Sequence, residues 1–445
     1  MKNDPEQKNP AGRLHLLRAL RSRNYRLFFA GQGVSLIGTW MQQVAMSWLV
    51  YRLTGSALLL GVTGFAGQIP NFLLAPLAGV LADRWNRRPL LVLTQSVALL
   101  QAATLAAFVL TGTIEVWHLI ALSVLLGLVN AFDIPVRQSF VIELMERKED
   151  LSNAIALNSS MVNGARLLGP ALAGVLVATL GEGICFVLNA ASYLAVILAL
   201  LAMRLAPSQR RAGRQHFLKA LGEGFAYAYG FAPIRCILAL LGLVSLLGMP
   251  YSVLMPVFSR EVLQGSARTF GFLIATTGIG ALTSTLYLAS RASVRGLGRV
   301  IAGAACLFGA GIMGFALSRF LPLSLACLFL TGFGGMALVA SSNTILQTLV
   351  DDDKRGRIMS LFSMSFVGVV PIGSLLAGAM AERFGVQATL LTGGCCCLLG
   401  GLLFGRQLPA LRELVRPIYV KKGIIPEVAA GMQTAAELSV PPEKQ

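Results

Sequence analysis

Apolar residues in this chain come in long runs and polar residues in short breaks between them, and this rhythm predicts nearly every element. A helix needs about 20 apolar residues to cross the hydrocarbon layer of a membrane. Runs of that size lie near 25–51, 56–82, 89–111, 116–142, 152–179, 183–204, 234–259, 269–290, 298–318, 321–349, 357–381 and 386–406. They predict twelve membrane-crossing helices, six in 25–204 and six in 234–408. Between the halves lies the long break 205–233, where Phe217, Leu221, Phe225 and Ala228 recur at helical spacing against Lys219 and Glu223. That pattern predicts an amphipathic interfacial helix. Segments 1–24 and 409–445 lie outside the spans, and Pro409, Pro417, Pro426, Pro441 and Pro442 predict a partly disordered C-terminal tail with no span.

One break is richer in information than the others. Gly79-Val-Leu-Ala-Asp83-Arg84-Trp-Asn86-Arg87-Arg88-Pro89 joins the second and third runs. Pro89 suits the first turn of a helix, and Asn86 is a residue that tolerates a left-handed backbone, so the stretch predicts helix, tight turn, helix. It places a carboxylate and three guanidiniums at the end of an apolar layer.

The halves repeat. Gly55-Ser56-Ala57 with Gly61 matches Gly265-Ser266-Ala267 with Gly271, and glycines 164, 169, 174 and 181 match 368, 373, 378 and 385 at one constant offset. Six spans repeated in the same orientation imply a pseudo-two-fold axis along the membrane normal and a central cavity between two bundles.

Composition agrees with the pattern. Hydrophobic residues make up 55% of the 445, charged residues 13%, and the mean hydropathy is +0.70, which excludes a water-soluble surface. The net charge of +17 would suggest nucleic acid in a soluble protein, but the charges sit in alternate breaks. Seven Lys and Arg fall in 1–26, three each near 84–88, 137–148, 291–299 and 354–357, and six each in 204–235 and from 406 onward. The positive-inside rule makes these breaks and both termini cytoplasmic. No nucleic-acid partner follows. The seven cysteines lie in or beside apolar spans and imply neither disulfide nor metal site, and the basic N-terminus precedes no small-residue cleavage site.

At these residues the chain resembles a known family. Gly79 to Arg88 resembles the loop motif of the major facilitator superfamily, with Asn86 where glycine is usual. Gly164-Ala-Arg166-Leu-Leu-Gly169-Pro170-Ala-Leu-Ala173-Gly174 resembles its fifth-helix antiporter motif, with Ala173 replacing one glycine. Gly38 to Gln42, Arg137 to Val141 and Asp352 to Arg357 are similar to the enterobactin-exporter-like branch. The resemblance covers residues 20 to 405. It implies the major facilitator fold, export, and a contact of Asp83 with the start of the eleventh helix near Arg357.

The chemistry of the residues adds detail. A contact made by Asp83 at one helix end can exist in only one of two rocking states, whereas Arg84, Arg87 and Arg88 serve either gating or orientation. In the fifth span Ala165, Gly169 and Ala173 form a small-residue row and Pro170 removes one hydrogen bond, giving either a sliding seam or ordinary tight packing. Asn130, Asp133 and Arg137 share a face of the fourth span, as Asn163 and Arg166 do in the fifth. Asp133 pairs with Arg137 or with Arg166, as a proton carrier or as a permanent ion pair. The first span lacks an acidic residue, and the mid-helix arginine usual in the fourth span of related antiporters is missing.

By the family pattern a cavity is lined by Gln32, Ser35, Thr39, Gln42 and Met46, by Ser245, Tyr251 and Ser252, and by Asn343, joined by Asn130 and Asn163. Such a surface is uncharged and suits bulky amphipathic solutes. No cofactor, metal site or phosphate-cradling motif is present in the sequence, so energy comes from an ion gradient or from the solute's own. The expectation is a monomeric secondary transporter of a bacterial cytoplasmic membrane, in contact with lipid, exporting a siderophore or drug by proton antiport. Import or lipid flipping by the same fold, and a membrane-embedded enzyme or sensor, are the alternatives.

Overall fold

The computed structural model describes residues 18–145, 148–204, 226–291 and 293–422, and within them the side chains of all but 75–84, 148, 352 and 353. Among these residues the chain is helix and short turn, without a strand. The first bundle holds α1 (Arg23–Thr54), α2 (Ala57–Arg84), α3 (Arg87–Leu110), α4 (Val116–Glu143), α5 (Leu151–Leu180) and α6 (Glu182–Ala202). The second holds α7 (Ala232–Val262), α8 (Ala267–Ala289), α9 (Leu297–Leu317), α10 (Leu321–Leu349), α11 (Asp352–Phe384, in three pieces) and α12 (Val386–Lys421). Eleven of these are long and apolar enough to cross a membrane. The twelfth, α1, is long enough but too polar, because Gln32, Ser35, Thr39, Gln42 and Gln43 interrupt it. Of the expected linker helix only 226–230 is described, and it is helical with Ala228 buried; Phe217, Lys219, Leu221, Glu223 and Phe225 lie outside the described residues.

Three local expectations are corrected. Asn86 is not left-handed: with φ −69° and ψ 119° it caps α3, its side chain accepting from the Arg88 N–H at 3.3 Å, because a helix N-terminus offers that oxygen unpaired donors. The chain past residue 408 does not leave helix: α12 continues through Pro409 and Pro417 to Lys421. Leu408 and Leu411 are buried, Val415, Ile418 and Tyr419 pack on the core, and the Lys422 ammonium donates to the Thr348 carbonyl at 2.6 Å. An apolar stripe at helical spacing outweighs two missing backbone donors. Residues 423–445 of the expected tail lie outside the described residues.

The third correction concerns α7 and α11, which the hydropathy pattern predicts as plain helices. Each contains π-helical turns: Val244–Gly248 and Phe258–Val262 in α7, and Met364–Gly368 in α11. Two of them run up to a proline, Pro250 and Pro371, whose missing N–H ends the regular ladder. The Ser245 hydroxyl donates at 2.7 Å to the Phe366 carbonyl, so one π turn satisfies a polar group of the other.

The bundles meet along two seams related by the sequence repeat. A β-carbon on Gly174 of α5 would lie 2.9 Å from the Gly271 Cα of α8, and one on Gly378 of α11 would lie 2.9 Å from the Gly61 Cα of α2. Only glycine permits backbones this close. A continuous apolar core containing Met41, Tyr51, Leu60, Phe258 and Phe270 joins both bundles toward the α1–α2 turn. At the other, arginine-rich end the first bundle has a core of its own, built from Tyr25, Phe28, Val136, Phe140 and Leu200. Among the described residues the bundles thus pack together at one face, here the far face, and share no core at the basic face.

Candidate functional site

Asp133 is the most deeply placed carboxylate of the described membrane helices, with 3% of its surface exposed. Its helix carries Pro135 within the same turn, and α3 lies alongside. One carboxylate oxygen accepts from the Gln95 amide at 2.7 Å and lies 3.0 Å from the Thr94 hydroxyl; the other faces the Arg137 guanidinium at 3.6 Å. Of the two partners open from sequence, Arg137 is the one adopted. The Gln95 carbonyl oxygen is buried without a hydrogen-bond partner. Asn130, one turn earlier, is partly exposed.

Arg166 does not reach Asp133. Its guanidinium lies over the Trp40 ring of α1, 5.6 Å from the centroid. Gly169 makes this possible: a β-carbon there would stand 2.5 Å from the Trp40 Cβ, so α1 and α5 close up one turn beyond the arginine. Within the fifth-helix motif, Gly174 forms the seam to α8, Pro170 and Ala173 are buried, and Gly164 has open space around it. Asn163 donates to the Ser159 carbonyl at 2.9 Å.

The stripe of α1 faces its own bundle. Gln32, Ser35 and Gln42 are 3%, 1% and 2% exposed, and Met46 is also buried. Gln42 donates to the Gln101 side-chain carbonyl at 3.0 Å and accepts from the Asn189 amide at 2.8 Å; Thr39 donates to the Ser35 carbonyl and lies 3.3 Å from the Tyr193 hydroxyl. Of the expected lining, Gln42 and Thr39 thus reach α3 and α6 of their own bundle, as suits an amide in a dry interior, which is stable only when paired. Gln43, on another side of α1, is exposed instead. In the second bundle Ser245 is buried on α11, Tyr251 meets the Phe308 ring edge-on at 6.0 Å, and Ser252 is exposed. Asn343 is partly exposed and accepts from Gln347 at 2.9 Å. Sequence reasoning overlooked Thr94, Gln95, Gln101, Asn189 and Tyr193. Their signal was present, because polar groups inside apolar spans are themselves informative.

At the loop motif, Arg87 pairs with Glu143 at the end of α4, and Arg88 donates to the Leu201 carbonyl of α6 at 2.9 Å. Both tie the turn to its own bundle. The side chains of Gly79-containing residues 75–84, with Asp83 and Arg84 among them, lie outside those described, so the expected contact near Arg357 is not visible. The far face carries bonds between the bundles instead: Tyr51 to Glu261, Trp48 stacked on Phe270 at 6.1 Å, and Glu382 on the first turn of α2.

Two pseudo-symmetric helix bundles, sealed at one face around glycine seams, are the frame of a carrier, and residues 16–417 match the transmembrane secretion effector family. The chain belongs to that family of the major facilitator superfamily. It is 28% identical over 368 residues to the staphyloferrin A transporter of Staphylococcus aureus, covering 82% of this chain and 91% of that one. It is 27% identical over 395 residues to the multidrug efflux pump Tap of Mycolicibacterium fortuitum, covering 86% and 94%. The macrolide efflux protein A of Streptococcus pyogenes is 23% identical over 382 residues, at 83% and 93% coverage. Among solved structures, the nucleoside transporter NupG superposes with a TM-score of 0.66 at 12% identity, covering 87% of this chain and 99% of that chain. A bacterial homologue of the human lysosomal transporter Spinster, in an inward-facing and unoccupied conformation, gives 0.62 at 15% identity, covering 90% and 98%. These likenesses establish the fold. The protein is a multi-pass membrane transporter of the major facilitator superfamily, not an enzyme.

Proposed function

We propose that this transporter exports amphipathic small molecules, siderophore-like or drug-like, from the bacterial cytoplasm by proton antiport, the two bundles rocking about their seams. The observation that carries the reading is the one-sided closure: glycine-on-glycine seams and a shared core at the far face, and a separate first-bundle core at the basic face. With the arginine-rich face taken as cytoplasmic, this is the state that receives solute from inside. The direction of export is supported by the efflux function of the relatives Tap and macrolide efflux protein A.

Asp133 is the proton carrier in this reading. Protonation removes the charge that Arg137 answers, and the freed guanidinium changes its partners as the bundles rock. Asp83, at the basic end of α2, holds that face closed in the alternate state through the start of α11. Export and the Asp133 assignment are tested together in everted membrane vesicles given an inward-acid pH gradient. Export appears as gradient-dependent accumulation of an amphipathic dye, abolished by a protonophore and by Asp133→Asn. Accumulation in right-side-out vesicles alone would establish import and sink the reading.

A further inference from the structure

Among the described residues Arg166 is a charge without a counter-charge. It stands near the middle of the 30-residue α5, where a guanidinium is costly unless something answers it. The other arginine of the membrane interior, Arg137, faces Asp133, whose remaining oxygen is taken by α3. Among the described residues no carboxylate oxygen lies within 4.0 Å of Arg166, and its guanidinium lies over the Trp40 ring of α1. On the other side of the same turn a β-carbon on Gly278 of α8, in the second bundle, would lie 3.5 Å from the Arg166 carbonyl. Arg166 therefore stands where α5 packs against both α1 and α8, at the meeting of the bundles.

We propose that Arg166 is an anion subsite for the transported solute, and that the solute class is amphipathic molecules bearing a carboxylate or similar oxyanion. The assignment rests on the export reading for its physiological meaning but not for its test. Guanidinium geometry suits a planar oxyanion through two parallel N–H donors, and the Trp40 indole offers an apolar wall. A solute anion held on Arg166 sits where α5 packs against α8 of the other bundle, at the place where the bundles must move against each other. Binding and rocking are then coupled at one place. Cationic drugs are disfavoured at the same position by like-charge repulsion in a dry environment.

The test is equilibrium binding to the purified full-length protein in detergent, read by fluorescence anisotropy of three matched probes: pyrenebutyrate, its methyl ester, and the pyrenebutyl ammonium ion. The expected result is about 10-fold tighter binding of the carboxylate than of the ester, and weakest binding of the ammonium. Arg166→Gln should bring carboxylate and ester within about twofold while leaving ester affinity and thermal stability near native, and Arg166→Lys should restore part of the preference. The control Arg319→Gln, which removes an exposed arginine in the turn between α9 and α10, should retain the anion preference. No binding of the carboxylate, equal affinity for all three probes, or a preference that survives Arg166→Gln overturns the assignment. Displacement of pyrenebutyrate by equimolar phosphatidylglycerol gives the subsite to a lipid headgroup and overturns it for solute. Vesicle transport of pyrenebutyrate only in the inward direction would instead overturn export and leave the subsite standing.

Discussion

Glu382, near the end of α11, accepts from the Leu58 backbone N–H at 3.1 Å, and its same oxygen lies 3.0 Å from the Ser56 hydroxyl. One bundle thus supplies the N-terminal cap of a helix in the other. An anion at a helix N-terminus is worth about 0.3–1 kcal/mol when exposed and up to about 2 kcal/mol in favourable geometry. Removing it with Glu382→Ala should weaken the far-face seal by about 1 kcal/mol, roughly a fivefold shift toward opening at that face. Spin labels on Thr113 and Phe320, exposed turn residues of opposite bundles, should show a larger share of long distances. An unchanged distribution would mean that the glycine seams alone hold the face shut.

Those seams make the second prediction. At Gly174 an added methyl group meets backbone of α8, with the Ala267 carbonyl at 3.1 Å and the Gly271 Cα at 2.9 Å, so there is no flexible side chain to move aside. Gly164, about three turns away on the same helix, has nothing within 4 Å. Gly174→Ala should cut transport in vesicles about tenfold by holding the bundles apart, while Gly164→Ala retains it. Equal losses at both would point to a general effect on helix α5.

The buried pair Asp133 and Arg137 separates stability from coupling. Arg137→Leu leaves a carboxylate in the membrane interior without its cation, and should cost about 3 kcal/mol. Asp133→Asn keeps the shape and removes the charge, so thermal unfolding should change much less while proton-driven transport is lost. Solute exchange without a pH gradient should persist in Asp133→Asn. Combining the two substitutions should recover part of the stability lost in Arg137→Leu, which a thermal melt of the three variants measures.

Gln42→Leu distinguishes lining from scaffolding. Lining a cavity, Gln42 would change which solutes are carried. Bridging Gln101 and Asn189, it should cost about 1–3 kcal/mol of stability by leaving two buried amides unpaired, with the relative rates for different solutes unchanged. Melting temperature and a solute panel, measured on the same preparation, decide between them.

Chain order, helix number and the place of each turn were legible in the residues, because a helix satisfies its own backbone and the membrane fixes its length whatever surrounds it. The repeat was legible for a related reason. Glycines 61, 174, 271 and 378 recur where backbones must touch, and a requirement for no side chain leaves its mark on sequence directly. Rotation of each helix about its axis was not legible. Asp133 had two arginines within reach by spacing, and only the placement of α1 over α5 sends Arg166 to Trp40 and leaves Arg137 with the carboxylate. The polar stripe of α1 likewise fits a cavity or a bundle interior equally well until α3 and α6 present Gln101 and Asn189 to it. In lipid the apolar side chains of a helix give little preference for one neighbour over another, so partner choice falls to a few polar and small residues acting together across helices. That cooperation belongs to no single stretch of chain, and it is why the sequence determined the number and order of the helices and the tertiary structure alone decided which charges face each other.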